Sequence, residues 1–347
     1  MMGSAKLYFN KDADFGTLNN RTIAIIGYGN QGRSQALNLR DTIEKESISA
    51  NVIIGSRADE SKKKAEKEGF AVYEIQEACQ KADIIFMLLP DEIMPEVFDS
   101  TIKSTLKNDN VLVFGSGYCV SYKLLDLPNS VDVIMVAPRM GGKEVRDLFV
   151  DGSGFPSLIA VEQDASGKAR ELVITLSCAI GSGRGESSVS IEVTFMQETI
   201  SDLLSEQFLS PVISVAMQAK YELDLSCGIP PEAALMELHL SGEWATIYKR
   251  MMEIGMVAQL PMHSLASQYG QLSRASELTK NSRGLSYEAI KKFGQEKLDE
   301  ITSGKFVEEW EKDKKAGYAT FKRLFEDAEN SPMILEEQKF LKLLGRV

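Results

Sequence analysis

Apolar residues follow two different rhythms along this chain. In the amino-terminal part they come as short, mostly apolar runs: Ile23 to Ile26, Asn51 to Gly55, Ala82 to Leu89, Asn110 to Phe114, Val131 to Val136 and Leu158 to Val161. Runs of this length, closed by Gly, Pro or Asp, read as strands buried on both faces. Helical stretches such as Ser61 to Glu68 lie between them. The alternation predicts an α/β domain, a Rossmann-type doubly wound open parallel sheet, with ligands beyond the carboxyl ends of the strands. From Ile191 the rhythm changes to three- and four-residue spacing through Phe195 to Met217, Pro231 to Met256 and Ser286 to Ile301, which predicts an all-helical second part. Gly181 to Val193 interrupts both patterns, so the expected domains are 1–193 and 194–347.

The first strand runs into Gly27, Tyr28, Gly29, Asn30, Gln31 and Gly32, the G-x-G-x-x-G spacing of a dinucleotide-binding turn. Gly27 allows the sharp turn, Gly29 leaves room for a pyrophosphate, and Gly32 lets the next helix pack on the strand. A glycine triplet alone also marks ordinary turns. Here it follows a buried-type strand, opens a helix, and is succeeded by a second strand at Asn51 to Gly55, as a βαβ unit requires. That second strand ends in Gly55, Ser56 and Arg57 where an NAD site usually has a carboxylate. Arg57 and Ser61 suit a ribose 2′-phosphate and favour NADP(H), whereas Asp59 could accept ribose hydroxyls and repel a phosphate. Glu60 to Lys64 read as a merely solvated part of this polar loop.

The net charge is −11 over 347 residues, which argues against broad attraction to nucleic acid or an anionic membrane. An anionic substrate therefore needs local positive charge from side chains or metal ions. Cys79, Cys119, Cys178 and Cys227 have no C-x-x-C spacing, so neither a zinc site nor a disulfide framework is expected. No apolar run is long enough for a membrane span, and the polar start lacks the character of a signal peptide, which makes the cytoplasm the expected compartment.

Glu198, Asp202 and Glu206 recur every four residues, so a regular helix sets three carboxylates on one face beside Leu203, Leu204, Phe208 and Leu209. The stripe is either a solvated acidic face or the ligand set of a hard divalent ion such as Mg²⁺. On a second helix Glu237 and Ser241 share a face, with Glu243 turned away by roughly 120° if the helix is regular. His239 and His263 have no nucleophile beside them in sequence, and a serine-hydrolase reading has no support.

Several runs taken together closely resemble ketol-acid reductoisomerase, also called acetohydroxyacid isomeroreductase. They are Lys11 to Asp14 (KDAD), the glycine turn, Leu88 to Glu92 (LLPDE), Met135 to Pro138 (MVAP), Gln163 to Lys168 (QDASGK), Thr194 and Phe195, Asp202 to Gln207 (DLLSEQ), Ser267 to Gly270 (SQYG) and Ala316 to Tyr318 (AGY). The length is similar to the family's short form, whose helical domain is knotted and completes its active site with a second subunit. The resemblance implies Mg²⁺-dependent alkyl migration in 2-acetolactate or 2-aceto-2-hydroxybutyrate followed by reduction with NADPH. It implies a small-molecule acetohydroxy acid as substrate, two Mg²⁺ ions, and a homodimer or higher homo-oligomer. By position, Asp202 and Glu206 match metal ligands, Glu237 a ligand from the partner subunit that is also the candidate base, and Ser264 a substrate-contacting serine. Tyr28, Asn30, Gln31, Ser56, Arg57, Ser61, Asp91, Glu92, Ile93, Met94 and Gly142 match cofactor-contacting positions.

Three positions depart from the family pattern. Ser116 stands where a histidine is usual before Gly117 and cannot act as an acid or base near neutral pH. Ser241 stands where a fourth metal carboxylate is usual, and Arg139 replaces a lysine, keeping the charge and losing a titratable amine. These residues resemble a divergent archaeal-type branch. Ser116 and Arg139 remain catalytic candidates, and Asp59 leaves NADH use open. Two rival readings follow from the thinner site: a reductase of another 2-keto acid that does not isomerise it, and a non-catalytic cofactor-binding protein.

Overall fold

The computed structural model describes residues 5–57, 59–185, 188–280 and 284–346. The chain divides into two compact units, Met1–Thr199 and Ile200–Val347.

The first unit is a nine-stranded sheet flanked by helices. Its strands are β1 (Leu7–Tyr8), β2 (Thr22–Ile26), β3 (Asn51–Gly55), β4 (Ala71–Tyr73), β5 (Ile84–Met87), β6 (Val111–Phe114), β7 (Asp132–Pro138), β8 (Ser157–Gln163) and β9 (Ser190–Glu192). In space they run β1-β9-β8-β7-β6-β5-β2-β3-β4. Helices α1 (Asn30–Lys45), α2 (Glu60–Lys67), α3 (Ile75–Lys81), α4 (Met94–Val97), α5 (Tyr118–Ser121), α6 (Gly142–Val150) and α7 (Ala169–Ile180) follow their strands.

The sheet is mixed rather than wholly parallel. β7, β6, β5, β2, β3 and β4 are parallel, but β8 is antiparallel to β7 and β1 is antiparallel to β9. Ser157 therefore pairs with Pro138, and it is the start of β8 that lies at the edge where β7 ends. An apolar run does not encode strand direction, so this reversal is invisible in the residues of β8 alone.

Alternate residues of each central strand feed two separate cores. Ile23, Ile25, Ile54, Phe86, Val113 and Ile134 face α1, α6 and α7, while Ala24, Ile26, Ile85, Met87, Leu112 and Phe114 face Phe98, Ile102 and Phe195. Helix α1 is buried enough to need its polar groups satisfied internally. Asn38 Nδ2 donates to the Ile180 carbonyl at 2.8 Å, and the Thr42 hydroxyl donates to the Ala179 carbonyl at 2.7 Å.

The second unit consists of helices. α8 (Phe195–Leu204) leads into it, followed by α9 (Ser210–Ser226), α10 (Pro231–Leu235), α11 (Glu243–Ile254), α12 (Leu265–Lys280), α13 (Tyr287–Thr302), α14 (Lys305–Lys315), α15 (Ala319–Glu329) and α16 (Pro332–Leu343). Two expected long helices are interrupted. Ser205–Leu209 and Met236–Leu240 are wide turns in which Ser210 N–H bonds to Ser205 O and Ser241 N–H to Met236 O, five residues back. Such π-type turns break the 3.6-residue period. Gly242, left-handed at φ 81°, then separates Ser241 from α11, so Glu237, Ser241 and Glu243 do not share one regular helix. Among the described residues, no helix is long and apolar enough to cross a membrane.

Candidate active site

The first unit carries a cavity of about 480 Å³ at the carboxyl ends of its parallel strands. It is lined from the glycine turn by Gly27 to Gln31, from the end of β3 by Ser56, Arg57, Asp59 and Ser61, and from the β5 and β6 ends by Asp91, Ile93, Met94 and Ser116. The three glycines have three separate reasons to be glycine. Gly27 has φ +93°, a left-handed conformation that L side chains resist. A Cβ on Gly32 would sit 2.0 Å from the Gly27 carbonyl oxygen, whereas one on Gly29 would meet nothing within 4 Å. Gly29 is also the amino-terminal cap of α1, so open space and free N–H groups coincide there, which is what a pyrophosphate requires.

Not every cofactor candidate faces this cavity with its side chain. The Tyr28 hydroxyl points to Glu68, donating at 2.6 Å. Gln31 Nε2 donates to the Met140 carbonyl at 2.8 Å and ties the turn to the loop after β7. Gly32, Glu92 and Gly142 are not among the lining residues. Gly142 is a point of close approach, since a Cβ there would come within 2.4 Å of Asn30 backbone atoms. The Asp59 carboxylate accepts from Ser61 N–H at 2.9 Å and Lys62 N–H at 3.3 Å, so it caps α2. An Asp read as a possible ribose ligand thus also has a local structural task.

Around the end of β7, Arg139 and Glu198 form an ion pair at 2.9 Å, with Glu198 only 2% exposed. The second carboxylate oxygen of Glu198 accepts from Gly117 N–H at 2.7 Å. A carboxylate this buried needs such partners. This changes the acidic stripe: Glu198 serves Arg139 and Gly117, leaving Asp202 and Glu206 as the pair. Spacing alone grouped the three. What could have separated Glu198 is the apolar company of Phe195 one turn earlier, which marks the buried end of the helix.

Ser116 Oγ lies 3.4 and 3.5 Å from the two Asp91 carboxylate oxygens, and Cys119 Sγ donates to the same carboxylate at 3.4 Å. Burial of Cys119 makes it part of the core facing Phe114.

In the second unit, Asp202 lies on α8 and is half-buried, while Glu206 and Glu237 are exposed. Glu206 and Glu237 each sit within one of the two π-type turns. Turns of this kind are frequent at functional sites, because they push one residue out of helical register. Ser264 caps α12, its Oγ accepting from Ser267 N–H at 3.2 Å, which leaves its hydroxyl proton available to a ligand. Among the described residues, no three His, Cys, Asp or Glu side chains gather into an ion-binding cluster. Asp202 and Glu206 are therefore at most part of a ligand set within one chain.

Comparison with known proteins accounts for both units. Residues 17–186 match the family model for the acetohydroxy acid isomeroreductase NADPH-binding domain, and residues 195–344 match that for the ketol-acid reductoisomerase C-terminal domain. The chain belongs to the ketol-acid reductoisomerase family. A Saccharolobus solfataricus protein carrying a ketol-acid reductoisomerase name is 40% identical over 338 residues, covering 96% of this chain and 97% of that one. The ketol-acid reductoisomerase (NADP(+)) of Methanopyrus kandleri is 35% identical over 345 residues, covering 98% and 99%. Among solved structures, the NADH-preferring ketol-acid reductoisomerase from an uncultured archean superposes with a TM-score of 0.86 at 31% identity, covering 97% of this chain and 99% of that one. Membership of the ketol-acid reductoisomerase family extends over both units and disfavours a reductase sharing only the dinucleotide fold.

Proposed function

We propose that this chain is a working ketol-acid reductoisomerase of branched-chain amino acid biosynthesis. It takes 2-acetolactate or 2-aceto-2-hydroxybutyrate through alkyl migration and NAD(P)H reduction to the 2,3-dihydroxy acid. The observation that carries this reading is a glycine turn with open space at Gly29, in the same chain as a helical unit presenting Asp202 and Glu206.

The cavity fits a dinucleotide. Arg57 and Ser61 stand where a 2′-phosphate would bind, and the capping carboxylate of Asp59 keeps NADH usable by offering an acceptor to ribose hydroxyls. Asp202 and Glu206, with Glu237 from a second copy, fit Mg²⁺, which takes oxygen ligands and retains waters. When bound, the ions polarise the carbonyl and stabilise negative charge on substrate oxygens, and the nicotinamide supplies a hydride.

The chain's own residues do the rest. Buried Glu198 holds Arg139 at the end of β7 and offsets its charge, so the positive charge that an anionic acid needs in a protein of net charge −11 would come from the Mg²⁺ ions. Glu237 is the candidate base, and Ser264 donates its hydroxyl proton to a substrate oxygen. Ser116 offers a hydrogen bond without acid–base chemistry. A second copy also accounts for the many exposed apolar side chains of the helical unit, among them Leu223, Met252 and Leu265. We place the enzyme in the cytoplasm as a homodimer or higher homo-oligomer.

The test follows NADPH and NADH oxidation with 2-acetolactate and, separately, with a simple 2-keto acid, each with and without Mg²⁺. Turnover of acetolactate only with Mg²⁺ is the expected result. Turnover of the simple keto acid alone would replace this reading with a plain reductase.

A further inference from the structure

The glycine turn is tied to the end of α2 that lies away from the cavity. Glu68, the residue following α2, receives the Tyr28 hydroxyl at 2.6 Å on one carboxylate oxygen. Arg33, on the first turns of α1, grips the same carboxylate with Nε at 2.9 Å and with its terminal nitrogen at 2.6 Å. Arg40, seven residues further along α1, donates to the Glu68 backbone carbonyl at 2.7 Å and lies over the Phe70 ring at 4.8 Å. Phe70 in turn meets the Tyr28 ring edge-on at 5.8 Å. At the other end of α2, Asp59 caps the helix beside Arg57 and Ser61. Helix α2 has eight residues and so spans about 12 Å at 1.5 Å per residue. One end belongs to the cavity's ribose loop, and the other is bolted to its pyrophosphate turn.

We propose that Glu68 is a positioning residue for the dinucleotide: by joining Tyr28 and Arg33 to the end of α2, it sets the distance between the pyrophosphate turn and the ribose loop. This rests on the reading of that cavity as the NAD(P)H site. Glu68 does not touch the cavity and acts only through the geometry of its two ends.

The link has a fixed polarity. Burial raises the Tyr28 phenol well above its usual value, and the bond to Glu68 raises it further, so Tyr28 remains a donor. Burial pushes the Glu68 carboxyl up, but the hydrogen bonds from Arg33 and Tyr28 and the Arg33 charge outweigh it and hold it below its ordinary value. Bonds to a charged acceptor are roughly twice as strong as neutral ones. Glu68→Gln keeps the side-chain volume while removing the charge, and Tyr28→Phe keeps the ring while removing the donor.

The experiment measures NADPH dissociation constants by cofactor fluorescence on full-length wild type, E68Q, Y28F and the double variant. It adds kcat and KM values for wild type and E68Q. In E68Q, NADPH binding should weaken by about tenfold. Its kcat at saturating NADPH should stay within about twofold, with the KM for acetohydroxy acid nearly unmoved. The double variant should bind no worse than the weaker single variant, because both changes cut the same link. NADPH affinity unchanged in folded E68Q, with only the melting temperature lowered, would overturn the proposal and make Glu68 a purely structural residue. Fully additive losses would overturn it too. Wild type that binds no dinucleotide would bring down the cavity assignment itself, an outcome distinct from wild type and E68Q binding alike.

Discussion

The two units of this chain treat their apolar residues in opposite ways. In the first, the central strands are buried on both faces, and two large cores close around the sheet. In the second, among the described residues, Tyr221, Ala234, Leu235 and Leu238 form a small buried cluster, while Leu223, Tyr248, Met252, Met256, Leu265 and Tyr269 lie exposed. The chemistry is divided likewise. The first unit holds a complete cavity with its turn, loops and buried ion pair. The second holds Asp202 on α8 and Glu206 and Glu237 on two π-type turns, with no cluster of three among the described residues. One half is finished within a single chain. The other exposes apolar faces and gathers no three carboxylates among the described residues, and the proposed reading completes both with a second copy.

The largest effect expected from this contrast is at Asp202. Asp202→Asn should lower kcat by about a thousandfold or more, because on the proposed reading it removes a charged metal ligand needed in the transition state. The NADPH dissociation constant should remain within about twofold, since binding belongs to the other unit. Equal loss of both would erase the division of labour. Next comes the apolar face. Leu223→Glu combined with Met252→Glu should shift the protein towards monomer in sedimentation velocity and cut activity by at least about tenfold, because burying two new carboxylates in an interface is strongly unfavourable. An unshifted oligomer would remove those residues from the interface.

Two glycines sharpen the comparison inside the first unit. Gly29→Val should raise the KM for NADPH by about ten- to a hundredfold with little change in melting temperature, because the new side chain occupies ligand space only. Gly32→Ala should do the reverse, destabilising the fold by about 1–3 kcal/mol through overpacking against the Gly27 carbonyl.

The smallest effect is a pH dependence. Glu68 has a folded pKa below its ordinary value of 4.5, so its contribution to stability is present above about pH 4.5 and is lost as pH falls through the folded value. The stability difference between wild type and E68Q, about 1 kcal/mol at neutral pH given partial solvent screening, should close on acidification. A constant gap down to pH 3 would show that charge is not the cause.

Much of the fold was legible because burial on two faces leaves a plain mark. β3 spans Asn51–Gly55, the run read from sequence, and β6 differs from its expected run by one residue. β1, β4 and β9 have only two or three residues each, too few to show a period. The direction of β8 depends on which strand it meets, and its own residues do not carry that. In the helical unit the three- and four-residue spacing marks the stretches that hold α8 to α11 and α13, but it assumes regular helices, which hides the π-type turns at Ser205–Leu209 and Met236–Leu240. At the candidate site, spacing grouped Glu198 with Asp202 and Glu206, and only its contacts with Arg139 and Gly117 separate it. The link from Tyr28 to Glu68 joins residues 40 positions apart and has no local signature.

Mixing inactive subunits shows whether the proposed site is divided between two copies. Asp202→Asn and Glu237→Gln are each prepared alone, then combined under conditions that let subunits exchange. If each site takes Asp202 from one chain and Glu237 from the other, a mixed dimer regains one intact site. Activity should then return to about a quarter of wild type for random exchange. Confirmed exchange with no recovery would place both residues in the same site of the same chain, contradicting the account.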